Sequence, residues 1–229
     1  MESNIIQTID VVLLTIKNEK LHVALVKRES PPFQHHDALP GGYVHEQEDS
    51  DCLDSALRVL RTKMGIRPPY LEQLETFSGK YRDPRGWSVS VVYFALVSLE
   101  VIEAADNPLV SLVDIDDLKD LPFDHLKIIR ATVNRIRNKA QYSSLPCFLA
   151  GETFTLPALQ KIYEICLDDT LNKVSFRRKI AEMDVIEEVA GQLSKQGACR
   201  PARIYRLKPR YLEKLCTRQK LKFRLFITP

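Results

Sequence analysis

The sequence predicts a mixed α/β domain followed by a smaller module of two helices and a hairpin. Three observations carry that reading. Runs at 4–16, 21–28, 71–79 and 88–102 are rich in β-branched and apolar residues and read as strands. Stretches starting at Leu53 and Asp124 repeat apolar residues at helical spacing. Beyond residue 141 the pattern becomes helix, turn, helix and two strands.

The first two strands are joined by the polar turn KNEK at 17–20 and form a hairpin. A loop, ESPPFQHHDA, leads to LPGGYVH. Leu53, Ala56, Leu57, Leu60 and Met64 then define one face of a helix that Gly65 ends as a left-handed cap. The strand at 71–79 and the long apolar strand at 88–102 flank a charged loop, KYRDPRGW. The helix at 124–139 places Leu126, Ile129, Val133 and Ile136 on one side, with Asp124 able to cap its start. QYSSLPCFLAGE at 141–152 is polar and holds Pro146 and Gly151, so the division between a 1–145 domain and a 146–229 domain is expected there. The second domain opens with FTLPALQKIYEICL, where Pro157 suits the first turn of a helix. NKVSFRRKIAEM at 172–183 follows, with Asn172 as its cap, and the strands VIEEVAGQL and CRPARIYRLKP close the pattern. Helix, turn, helix and hairpin is the outline of a winged helix-turn-helix.

Composition narrows the function. The five cysteines contain no CxxC pair, which points to reduced thiols rather than structural zinc. No apolar run approaches the roughly 18 residues of a membrane helix, and MESNIIQTID lacks the layout of a signal peptide, so a cytoplasmic protein is expected. Residues 171–229 hold 15 Lys and Arg against 5 Asp and Glu, whereas 1–170 hold 18 against 25. An acidic body with a basic tail suggests that the tail meets a polyanion.

Individual residues point the same way. Gly41 and Gly42 let a backbone approach phosphate closely. Arg28, Arg82 and Arg85 can grip phosphate with forked donors, or Asp83 can hold an arginine within the hairpin tip. Arg58 can touch a diphosphate or pair with Glu48. Trp87 can stack a base or serve as a core or interface aromatic, while Tyr93 reads as core. His35 and His36 read as surface residues and His125 as a helix-start residue. In the second domain Phe176 and Ile180 face inward, which turns Lys173, Ser175, Arg177, Arg178 and Lys179 outward on a helix of major-groove size. Lys195, Arg200 and Arg203 lie near the hairpin as candidate phosphate or minor-groove contacts, with Arg206 as a structural alternative.

The first domain resembles a Nudix hydrolase. That family's box runs G-x5-E-x7-R-E-U-x-E-E-x-G-U, with U apolar. Here Gly42, Glu48, Arg58, Leu60, Gly65 and Ile66 match, with two extra residues between Glu48 and Arg58. The three metal-binding glutamates are replaced by Val59, Thr62 and Lys63. Valine offers no ligand, threonine a weak one, and lysine repels a cation, so little or no pyrophosphate hydrolysis is expected. An active Nudix pyrophosphohydrolase acting on ADP-ribose with an appended nucleic-acid-binding module is the alternative. Over nearly its whole length the chain is similar to the Nudix-related transcriptional regulators (NrtR) of bacterial NAD metabolism. The marks are LPGGYV, the insertion in the box, YRDPRG, FDH, SFRRKI and RPARIYR. That resemblance implies a Nudix α/β/α sandwich with a mixed sheet, followed by a winged helix. It also implies a homodimer, operator DNA as partner, and ADP-ribose or a related nucleotide as effector, with no cofactor and no metal.

Overall fold

The computed structural model describes residues 5–194 and 201–209. The elements run β1 (Ile6–Lys17), β2 (Lys20–Lys27), β3 (Asp37–Ala38), β4 (Gly41–Tyr43), α1 (Cys52–Met64), β5 (Glu72–Gly79), β6 (Ser88–Leu96), α2 (Leu99–Ala105), β7 (Val110–Asp114) and α3 (His125–Ala140). A 3-10 turn at Leu145–Leu149 leads to β8 (Phe154–Thr155), α4 (Leu156–Leu167), α5 (Lys173–Met183), β9 (Ile186–Ser194) and β10 (Ala202–Leu207).

The first sheet is mixed. Its strands run β3-β2-β1-β6-β5, with β4 also on β1 and β7 also on β2. Among the described residues only the β1–β6 pair of this sheet is parallel. β1 is buried from Ile9 to Leu14 because both faces of the sheet are covered. Its period-two alternation divides the core. Ile9, Val11 and Leu13 pack with Ala56, Val59, Leu60 and Met64 of α1 and Ile102 of α2. Val12 and Leu14 pack with Ile128, Ile129 and Ile136 of α3. This is an α/β/α sandwich with a mixed sheet.

α1 starts where the Asp51 carboxylate accepts from Asp54 N and ends at Gly65, whose φ of 70° matches the expected left-handed cap. The 88–102 strand was expected to be longer than it is. β6 stops at Leu96, level with Leu14 of β1, and the remaining apolar residues form α2. Val97 still donates to Leu14 O, but the chain then leaves β1, which runs on to Lys17 beside β2, and Ser98 opens α2, so Val101 and Ile102 become helical. The short β3, β4 and β7 were not anticipated either.

Asp124 does not cap α3 through its side chain. Its carboxylate instead accepts two hydrogen bonds from Arg82, at 3.0 and 2.8 Å. The Arg82 side chain is only 7% exposed, and a buried guanidinium has a stronger claim on a carboxylate than a helix end has.

The 141–152 stretch, expected as a polar break, is buried from Ser144 to Ala150. Leu145, Phe148 and Leu149 join the core beneath the first sheet, while Cys147 and Ala150 join the core of the second domain. α4 is divided in the same way, with Cys166 in the first core and Leu159 and Tyr163 in the second. Phe148 stacks on Tyr70 at 5.3 Å between ring centroids. In the second domain, α4 and α5 pack over a three-stranded sheet of order β8-β10-β9. This is a winged helix. β8 was not foreseen, because Phe154 and Thr155 read as part of the following helix.

Two outcomes follow from this packing. Phe148→Ala is expected to cost about 3–5 kcal/mol, as for other buried large-to-small changes. Urea unfolding followed by circular dichroism checks it, and a cost near zero would mean that the junction is not a packed one. Arg58 and Ser55 hydrogen bonds hold the Asp49 carboxyl well below its ordinary value of 3.8. A depressed carboxyl contributes stability that is complete above the unfolded value and fades as the pH falls below it. Asp49→Asn should therefore flatten the loss of melting temperature between pH 6 and about pH 3.

Candidate functional site

A cavity of about 200 Å³ opens where the sheet meets the ends of α1 and α3. It is lined by Thr8 and Asp10 of β1, Arg28, Leu39, Gly41 to Tyr43, Lys63 of α1, Arg82, Asp83, Arg85, Phe123 and His125. By strand alternation Asp10 lies on the same face as Val12 and Leu14, at the point where α3 begins.

The Gly41 turn exists because nothing larger fits. A Cβ there would lie 2.8 Å from Ile9 O and would collide with the Asp10 carboxylate. Behind it, Leu39 N donates to His125 Nδ1 at 3.1 Å. Nδ1 is therefore an acceptor, the proton sits on Nε2, and Nε2 faces Asp10 Oδ1 at 3.7 Å. Burial pushes the His125 pKa down despite Asp10 and Asp124, so the ring stays neutral. Asp10 also accepts from Ser90 Oγ at 2.6 Å and lies 3.6 Å from Arg82.

The cations around the cavity differ in how far they are neutralised. Arg82 is held by Asp124 and Asp10. Arg85 forms a fork with Asp83 at 3.0 and 2.7 Å and donates to the Tyr43 hydroxyl. Burial works to raise the Asp83 pKa, but the Arg85 hydrogen bonds and charge outweigh it and leave the carboxyl ionised. Among the described residues the Arg28 side chain donates only to the carbonyls of Pro32 and Ser30, and it lies 4.9 Å over the Phe123 ring. Desolvation, then Arg85, lowers its pKa. Lys63 has no side-chain hydrogen bond or ion pair among the described residues.

Six of the eight candidate ligand residues therefore meet at one cavity: Arg28, Gly41, Gly42, Arg82, Asp83 and Arg85. Arg58 and Trp87 do not line it. Arg58 is bound by Asp49 at 2.7 and 2.6 Å and by Tyr43 O at 2.9 Å, with Glu48 farther off at 3.9 Å. Trp87 is 46% exposed and shares a separate surface depression with Tyr81 and Pro84. His125 begins α3, as expected, but it also forms part of the pocket wall. Asp10 was missed, although an aspartate inside IQTIDVVLL is a visible anomaly in an apolar strand. Tyr43 and Phe123 were missed because nothing in the sequence says which aromatics meet.

The second candidate surface centres on α5. Asn172 caps it by accepting from Val174 N and Ser175 N, and Phe176 and Ile180 are buried as expected. Lys173, Arg177 and Arg178 are exposed, with Glu182 3.8 Å from Arg178. Ser175 and Lys179 are exposed too, as expected, but face another side of α5. They line a cavity of about 410 Å³ between α5 and the end of α3, and Lys179 donates to Gln141 O. Arg203 pairs with Glu188 and Arg206 with Glu187. Strict alternation would set these arginines on opposite faces, but an irregularity between Arg203 and Tyr205 leaves both exposed. Lys195 and Arg200 lie outside the described residues.

Comparison with known proteins agrees with both halves. The NUDIX domain family matches residues 7–132, and the NrtR DNA-binding winged helix domain matches residues 146–207. The ADPR responsive transcriptional repressor NtrR of Acinetobacter baylyi is 38% identical over 206 residues, which is 88% of this chain and 81% of that protein. A crystal structure of Shewanella oneidensis NrtR complexed with a 27mer DNA is 38% identical, with a TM-score of 0.84 over 90% of this chain and 95% of that one. The NUDIX domain of the same Shewanella protein, complexed with ADP ribose, is also 38% identical, with a TM-score of 0.54 over 58% of this chain and 90% of that one. This chain, a Nudix domain joined to a winged helix, belongs to the NrtR family.

Proposed function

We propose that the chain is a transcriptional repressor of bacterial NAD biosynthesis or salvage genes, binding operator DNA as a homodimer and released by ADP-ribose or a related NAD metabolite. The observation that carries this reading is the pairing of a cation-lined Nudix cavity with an exposed basic helix in a chain similar throughout to a repressor named for its response to ADP-ribose. Lys173, Arg177 and Arg178 would meet the major groove and its phosphates, with Arg203 at the wing.

The pocket is a sensor rather than a catalyst in this reading. Magnesium needs hard oxygen ligands. Val59 is buried and offers none, the Thr62 hydroxyl bonds Arg58 O at 2.8 Å, and Lys63 is a cation. The donor set does not fit the metal cluster of the hydrolases.

α3 is the natural relay. It begins at the pocket with His125 and ends beside Gln141, whose carbonyl accepts from Lys179 of α5. Its 16 residues span about 24 Å at 1.5 Å per residue. Arg137 also ties it to Asp168 at the end of α4, at 2.9 Å. A ligand acts on DNA binding only by favouring one arrangement of such an element over another.

The function is tested by a mobility-shift titration with DNA upstream of the host's NAD biosynthesis or salvage genes, in Mg²⁺, with nucleotide products assayed in the same tube. ADP-ribose is expected to abolish the shift while remaining intact. A shift indifferent to ADP-ribose while AMP accumulates would overturn the reading in favour of the hydrolase. Two substitutions separate the surfaces of α5. Arg177→Ala should lower the slope of log K against log salt by about one, as one phosphate contact is lost. Lys179→Ala should leave that slope in place and shift the ADP-ribose concentration needed for release.

A further inference from the structure

The face of α1 that looks onto the Gly41–Gly42 turn carries Val59 and, one turn on, Lys63. A Cβ on Gly42 would sit 3.7 Å from Val59 Cγ2, so this face of the helix lies directly under the turn. Thr62, beside them, is turned back onto the backbone of its own helix. In the box pattern these are the positions of metal-binding carboxylates. The side chain that reaches the pocket from this face is therefore a lysine.

The charges of the pocket give that lysine a role. Arg82 and Arg85 are matched by Asp124, Asp10 and Asp83. His125 is neutral. Arg28 is held only by uncharged carbonyls, and Lys63 has no side-chain partner among the described residues. Four cations thus face three carboxylates, and Arg28 and Lys63 are the two that form no ion pair among the described residues, at the turn where an anionic diphosphate can approach backbone. We propose that Lys63 is a tethered cation that takes the place of the Nudix metal ion, so that the pocket binds the diphosphate of a nucleotide without any divalent metal. This rests on the reading of the cavity as a nucleotide sensor.

Desolvation first and then Arg28 lower the Lys63 pKa, with Asp10 and Glu29 acting in the other direction, so an anion beside it would favour its charged form. Lys63 remains open to solvent, so an entering anion can reach it. Arg28 would share the load from the opposite wall, where the Phe123 ring and two carbonyls fix its plane. The same ammonium would repel magnesium, so one substitution would remove catalysis and keep affinity.

The test is calorimetric titration of the full chain in EDTA and in Mg²⁺, with ADP-ribose, inorganic pyrophosphate and AMP as probes. The unaltered chain is expected to bind ADP-ribose with the same affinity in EDTA as in Mg²⁺. Lys63→Met should weaken ADP-ribose and pyrophosphate about 10- to 100-fold, as for the loss of a charge-assisted hydrogen bond. It should change AMP binding much less, and Lys63→Arg should restore the diphosphate ligands. Binding of ADP-ribose by the unaltered chain only in Mg²⁺ would overturn the proposal, and that arm needs no variant to fold. Equal ADP-ribose binding by Lys63→Met in EDTA would also overturn it, while leaving the sensor reading in place. Metal-free, Lys63-dependent binding of pyrophosphate without binding of ADP-ribose would uphold the role of Lys63 and overturn the choice of nucleotide.

Discussion

The arrangement of the pocket depends on one buried guanidinium. Arg82 enters from the loop between β5 and β6, and its side chain is almost wholly removed from water. A charge in that position must be paired, and removing one partner of such a pair typically costs about 3–5 kcal/mol. Asp124 supplies two hydrogen bonds, Ser88 Oγ accepts a third at 3.1 Å, and Asp10 lies close behind. These partners come from α3, β6 and β1, so satisfying one side chain fixes three elements against one another. Asp10 then limits the turn at Gly41 to glycine and faces the His125 ring. The His125 ring in turn accepts from Leu39, which sets the strand leading into the turn. The phosphate-accessible backbone, the neutral histidine and the start of α3 are all consequences of burying Arg82.

The second constraint is that the two domains share their hydrophobic cores. A flexible linker would let the winged helix rotate freely, and a ligand in the Nudix cavity would have nothing to push against. Here the 3-10 turn puts Phe148 and Leu149 into one core and Cys147 and Ala150 into the other, and α4 does the same with Cys166 and Leu159. Tyr163 Oη donates to Ser143 O at 3.1 Å, closing the junction from the winged-helix side. Close packing transmits displacement because interiors have little free volume to absorb it. A shift at the start of α3 therefore has a mechanical route to α5 through Gln141 and Lys179.

The sequence made the periodic features legible and hid those set by tertiary competition. α1, with its Gly65 cap, and α5, with its Asn172 cap, were readable because each depends on residues within one or two turns. The glycine turn and the arginines of YRDPRG were readable as chemistry. Asp124 was misread as a cap because the competing partner, Arg82, lies 42 residues away. The 88–102 run was misread because strand length is set by how far the neighbours pair, β5 as far as Phe94 and β1 as far as Leu96, not by the run itself. The burial of the junction was not legible because Ser143 and Ser144 look polar, yet Ser144 is buried and Ser143 bonds Lys139 O at 2.7 Å. Lys63 was visible as a missing glutamate. Its place on the cavity wall could only come from the fold.

The same charge balance that describes the pocket also sets the direction of its response. Arg28 stands near Lys63 and, after desolvation, lowers its preference for the charged form. In the proposed reading, an anion between them would relieve that repulsion and would favour closer approach of the two walls, Arg28 with its Phe123 contact and the last turn of α1. Phe123 directly precedes the residues that start α3, so the position of that helix is coupled to whether the repulsion is relieved. A ligand that binds one form and not the other stabilises that form by about 2.7 kcal/mol at 100 times its dissociation constant, and a weaker preference shifts the balance by correspondingly less. The full value exceeds the roughly 1.4 kcal/mol needed for a tenfold change in DNA affinity. A modest preference of the liganded pocket for one setting of α3 is thus sufficient for control, and no chemistry at the diphosphate is required.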